Sequence, residues 1–158
     1  MDLIFKMSNK GLIKLPVEVI EQLKEFIQDE GNKLEAGGII AGRFIVNSKD
    51  IIIDKITKPT VKDTRERFSF IRNQEEHQKI IAQYWKNSKG TCNYLGEWHT
   101  HPESYPEPSS IDTADWKRHL KKDQFSSRYL YFIIVGIKEI NIWEGDRRTL
   151  KIKKLNKI

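Results

Sequence analysis

Residues Gly96 to Trp116 read GEWHTHPESYPEPSSIDTADW, and the fold is read outward from this stretch. Thr91 to His101 begins as a strand and runs into the proline-rich loop PESYPEP, and a helix is expected to start near Ile111. Side chains alternate faces along a strand, so His99 and His101 point to the same side. Asp112 lies eleven residues past His101, at the start of the expected helix, after a loop long enough to fold back. Two imidazoles and one carboxylate supply three protein ligands and leave a fourth tetrahedral position for water, the pattern of a catalytic zinc site rather than a closed structural one. A plainer reading exists for the same residues. Ser109-x-x-Asp112 also matches a helix-capping box, and a His-x-His pair by itself is more often surface or core histidine. Half of the four histidines fall within three residues here, followed by prolines, a serine and an acid, which favours ligands.

Upstream, Asp2–Lys6 and Leu12–Leu15 read as short strands around a turn at Asn9–Gly11. Pro16 suits a first helical position, and Ile20, Leu23, Phe26 and Ile27 recur at helical spacing up to Gly31. Ala36–Val46 reads as a buried strand, Ile51–Thr57 as its partner, and a helix runs through His77, Ile81 and Trp85 towards Gly90. Downstream, Tyr129–Gly136 is a buried strand with Ile140–Glu144 and Thr149–Leu155 as antiparallel neighbours. The strands follow one another too closely for parallel crossovers throughout. The expected fold class is α/β (α+β), a mixed and largely antiparallel sheet flanked by about three helices.

With 158 residues and no repeat or linker, the chain reads as one domain, residues 1–158. A hydrophobic share of 38%, with 10% aromatic, suffices for a packed core and excludes a disordered chain. The longest near-apolar run, Tyr129–Ile137, is nine residues, against the ~20 that span a bilayer. The start, MDLIFKMSNK, lacks a signal-peptide pattern, and one cysteine, Cys92, excludes an internal disulfide framework and a multi-cysteine zinc site. A cytoplasmic protein without a membrane partner is expected. A formal charge of +6 raises the question of nucleic acid. However, +4 of it lies between Lys138 and Ile158, seven Lys/Arg against three Asp/Glu, where lysines on edge strands account for it.

The block also resembles a known family. His99-x-His101-Pro102, followed by Pro108-Ser109-x-x-Asp112, is similar to the His-x-His-x10-Asp signature of the JAMM (MPN-plus) metalloproteases, with ten residues between His101 and Asp112. Glu35-Ala36-Gly37-Gly38-Ile39-Ile40 resembles the glutamate and glycine-rich strand that this family places upstream. The likeness covers almost the whole chain and implies a JAB/MPN-like fold of the cytidine-deaminase type.

What the resemblance implies is specific. His99, His101 and Asp112 would hold one Zn²⁺ with water as fourth ligand; Glu35 would move the proton; Ser109 would help to hold the oxyanion. The implied substrate is the extended C-terminal tail of a conjugated or ubiquitin-like protein. The short form is most similar to bacterial JAB proteins that occur with E1/E2-like partners in anti-phage operons of cyclic-oligonucleotide signalling (CBASS), where the conjugated protein is a cyclic-nucleotide synthase. Competing readings are a non-catalytic MPN scaffold, a deconjugase of another bacterial ubiquitin-like protein, a Cys92 thiol hydrolase and a nucleic-acid-binding domain. Gly37 and Gly38 allow close packing or substrate approach or mark a strand bulge, Lys58–Arg72 is the candidate substrate-facing insertion or a solvated crossover loop, and His77 and His119 are expected at the surface or partly packed.

Overall fold

The structure is a computed structural model that describes residues 1–158. Strands β1 (Leu3–Lys6) and β2 (Leu12–Leu15) form a hairpin; helix α1 (Val17–Lys24) and strands β3 (Gly37–Phe44) and β4 (Ile51–Ile56) follow. A small hairpin, β5 (Thr64–Arg65) and β6 (Phe70–Ile71), precedes α2 (Gln74–Asn87) and β7 (Asn93–Thr100). Helix α3 (Ser110–Lys122) then leads into β8 (Tyr129–Val135), β9 (Ile140–Asp146), β10 (Ile152–Lys154) and β11 (Asn156–Lys157). Nine strands make one sheet in the order β10-β9-β8-β7-β3-β4-β2-β1-β11. Only β2–β4 and β7–β8 pair in parallel; the other pairs are antiparallel, and for β1–β2, β3–β4, β8–β9 and β9–β10 the short connections require it.

One residue, Leu155, separates β10 from β11, yet these strands stand at opposite ends of the sheet. The sheet must therefore curl until its edges meet. Leu155 is buried and its N–H donates to Ile142 O at 2.9 Å, while Ser8 N–H reaches Glu144 Oε2 at 3.3 Å across the seam. Phe5, Leu15, Ile53, Ile133 and Ile142 fill the interior, with Val19, Ile20 and Leu23 of α1. Along β8, Tyr131, Ile133 and Val135 face this interior, whereas Leu130, Phe132 and Ile134 face α3. Burial on both faces is why that strand reads as a continuous apolar run. The basic C-terminal strands β10 and β11 sit at the two ends of the sheet, on either side of this seam.

Three sequence expectations change. Pro16 occupies the N-cap rather than the first helical position, and α1 ends at Lys24 instead of running to Gly31. Phe26 and Ile27 keep helical spacing because a tighter turn continues: their N–H groups bond three residues back, and Phe26 tilts against Trp98 at 5.5 Å. His77 is fully buried, neither at the surface nor partly packed. Its Nδ1 lies 2.6 Å from Thr57 Oγ1 and its Nε2 2.9 Å from Asp63 Oδ2. Asp63 also accepts from the backbone N–H groups of Thr60 and Asn73, so this satisfied network fastens the β4–α2 connection to the end of β4.

Candidate active site

Strands β3 and β7 pair antiparallel with Gly37 opposite His99 and Gly38 opposite Trp98. The Thr100 N–H still donates to Ala36 O at 2.9 Å, which carries the pairing one residue further, and Glu35, two residues before Gly37, keeps the parity of Gly37 and so of His99. Cross-strand partners share a face, so Glu35 and both imidazoles come to one side of the sheet end. The register shift on β7 lies before Glu97, between its Gly96 and Tyr94 pairings, which leaves Glu97, His99 and His101 in one parity. Gly37 and Gly38 serve packing: a Cβ on Gly37 would lie 2.7 Å from the Phe70 ring, and one on Gly38 would lie 2.1 Å from Thr57 O.

Asp112 reaches the same point from α3. Ser109 Oγ accepts the Asp112 N–H at 3.1 Å, and Asp112 Oδ2 accepts the Ser109 N–H at 2.8 Å, a complete capping box. The cap and ligand readings of this aspartate are thus compatible. Trp116, stacked on Phe132 at 4.6 Å, holds the helix to the sheet.

The donor triangle is tight. His99 Nε2 and His101 Nε2 are 3.0 Å apart, and Asp112 Oδ2 lies 3.3 Å from the first and 3.1 Å from the second. Ligands at ~2.0–2.2 Å around a tetrahedral ion would be about 3.3–3.6 Å from one another, so the triangle needs to open by only a few tenths of an ångström. The donor set fits such an ion in both spacing and chemistry, and these three residues are the group that could hold a metal. Glu103, which the sequence reading did not single out, lies 2.9 Å from His101 Nδ1. A carboxylate there keeps the proton on Nδ1 and leaves Nε2 free to ligate. Its signal was the acid two residues after a ligand histidine. Burial disfavours the Asp112 carboxylate, but hydrogen bonds with His101 and His99 outweigh it and bring its pKa well below the usual range. The His101 imidazole is raised: burial pulls it down, and Asp112 more than reverses this.

Glu35 lines the same cleft, of about 780 Å³, and is 6% exposed. Burial pushes its carboxyl up to about 7, against the pull of His99 and His101. A carboxyl buried in the cleft beside the donors is placed to take a proton from water and to return it. Ser109 is exposed on the cleft wall. The cleft continues past the donors between β6 and α3. Its floor carries an ion chain that sequence reasoning missed: Arg72 pairs with Glu97, Glu97 faces His119 Nε2 at 3.4 Å, and His119 Nδ1 lies 2.8 Å from Asp123. His119 is half-buried, and its pKa is raised because Asp123 and Glu97 outweigh burial. Cys92 lies buried beneath α2, outside this cleft, and burial raises its thiol pKa, the opposite of an activated nucleophile.

Residues 17–147 match the family described as prokaryotic homologs of the JAB domain. The chain belongs to this JAB family. Membership implies a metal ion, in keeping with the donor triangle. A Pseudomonas aeruginosa protein named CD-NTase/cGAS isopeptidase is 35% identical to this JAB chain over 129 residues, covering 82% of the chain and 80% of that protein. An Escherichia coli protein of the same name is 31% identical over 156 residues, covering 99% and 95%. The solution structure of a Desulfitobacterium hafniense protein superposes with a TM-score of 0.60 at 19% identity, covering 89% of this JAB chain and 87% of that one, which supports the fold.

Proposed function

We propose that this chain is a zinc-dependent isopeptidase that releases a conjugated protein, a cyclic-nucleotide synthase of bacterial anti-phage defence, by cutting after its C-terminal tail. The donor triangle of His99, His101 and Asp112, with Glu35 in the same cleft, carries this reading. The names of the similar proteins from P. aeruginosa and E. coli supply the substrate class.

His99, His101 and Asp112 would hold the ion, and Glu103 would fix the His101 tautomer. When bound, zinc supplies a water of lowered pKa and polarises the scissile carbonyl. Glu35 takes the proton from the attacking water and returns it to the nitrogen of the leaving lysine side chain. The Ser109 hydroxyl, whose oxygen accepts the cap bond, still has its proton to donate to the developing oxyanion. Beyond the donors, the walls formed by β6 and α3 leave a channel for an extended tail. The working unit is one domain, residues 1–158, acting in the cytoplasm on products of E1/E2-like partners. No helix is long and apolar enough to cross a membrane.

The test is incubation of the zinc-loaded chain with a cyclic-nucleotide synthase joined through its C-terminus to a target lysine. Release of intact synthase is expected. Release only from a conjugate of another bacterial ubiquitin-like protein would move the substrate assignment, and release from neither would refute the reading.

A further inference from the structure

Glu35 precedes β3 and belongs to no strand, yet the proposed chemistry needs its carboxylate held at a fixed place beside the donors. Its backbone is gripped from the β5–β6 hairpin. The Glu35 N–H donates to Glu66 O at 2.7 Å, and Arg65 Nε donates to Glu35 O at 2.9 Å. A second grip comes from inside the fold. Gln28, 1% exposed, donates through Nε2 to Arg67 O at 2.8 Å and to Lys33 O at 3.2 Å. Its Oε1 accepts the Thr100 hydroxyl at 2.7 Å. Thr100 stands between the two ligand histidines with its side chain on the opposite face, and its Oγ1 accepts the Ala36 N–H at 2.9 Å. One buried amide therefore joins the ligand strand, the segment that carries Glu35 and the hairpin that walls the cleft.

We propose that Gln28 and Arg65 are positioning residues, which fix Glu35 against the ligand strand by holding its neighbours and its backbone rather than its carboxylate. The proposal rests on Glu35 as the proton carrier. Every donor and acceptor of the hub is used, and the hub sits in low dielectric, so it tolerates little displacement. The Glu35 carboxylate is left without a hydrogen bond from the protein, free for water and substrate. The hairpin and the proton carrier are consequently tied to each other by these bonds.

The test uses the zinc-loaded full chain and the synthase conjugate, measuring kcat, KM and zinc affinity separately. Gln28→Met and Arg65→Ala are expected to lower kcat by about 10²-fold, the usual consequence of misplacing a reacting group by ~1 Å, with KM and zinc affinity held. Thr100→Val should behave like Gln28→Met, and Thr100→Ser, which keeps the hydroxyl, should restore kcat. A loss of thermal stability with unchanged kcat, or a kcat loss matched by lost zinc affinity, would overturn the proposal. Should Gln28→Met fail to fold, Arg65→Ala on the half-buried hairpin decides. Glu35→Gln is measured alongside: if it cleaves at the wild-type rate, the proton-carrier reading has failed and the proposal falls with it. If it is inactive while Gln28→Met and Arg65→Ala turn over normally, the positioning role alone has failed.

Discussion

The backbone N–H of Ser109 donates to Asp112 Oδ2 at 2.8 Å, and that same oxygen lies 3.1 Å from Nε2 of His101. One atom thus closes the helix cap and completes the donor triangle. The cap positions the ligand because a capping box fixes the N3 side chain against the N-cap backbone.

This separates two roles of Ser109. Ser109→Ala removes the side-chain half of the cap but leaves the backbone donor to Asp112. A stability loss of ~1 kcal/mol is expected in calorimetry. Zinc affinity should stay near wild type while kcat falls ~10²–10³-fold through loss of the oxyanion donor. A variant that melts early yet turns over at full rate would show that the serine only caps.

Glu103→Ala removes the partner of His101 Nδ1. The expected result is a 10–100-fold weaker zinc affinity, read by competition with a chromogenic chelator, since outer carboxylates orient ligating imidazoles to about that extent. Unchanged affinity would mean that the 2.9 Å contact has no bearing on ligation.

The elevated Glu35 carboxyl has a consequence for the metal-free protein. Its folded pKa of about 7 exceeds the ordinary 4.5, so between these values the folded chain holds a proton that the unfolded chain has released. The contribution of Glu35 to stability must then fall as pH rises from 4.5 to 7, by up to roughly 3 kcal/mol. Glu35→Gln cannot titrate. Its stability advantage over wild type in urea unfolding should be larger at pH 8 than at pH ~4.5 by about that amount. Parallel curves for the two proteins would contradict the shift.

Legibility from sequence followed the range of each interaction. His99 and His101 share a face by strand parity, and Asp112 sits at a helix start by capping chemistry; both rules are local and both were readable. Glu35 lacked a local rule and stood out only through the family resemblance, because its place depends on β3 and β7 pairing across more than sixty residues. The Gln28–Thr100 contact and the Arg72–Glu97–His119 chain were invisible for the same reason. The burial of His77 has no local sign in the sequence because its polarity is satisfied by Thr57 and Asp63, partners that only the tertiary fold brings together. The early end of α1 was masked by Phe26 and Ile27, which remain partly buried against the core after the helix has stopped.

The most direct measurement of the central claim is cleavage of the synthase conjugate before chelation, after exhaustive chelation and after return of zinc. Release of the synthase should cease in the chelated, dialysed protein and recover on addition of one equivalent of zinc, with Asp112→Asn failing to recover. Cleavage that continues undiminished after chelation would contradict a metal-dependent mechanism built on His99, His101 and Asp112.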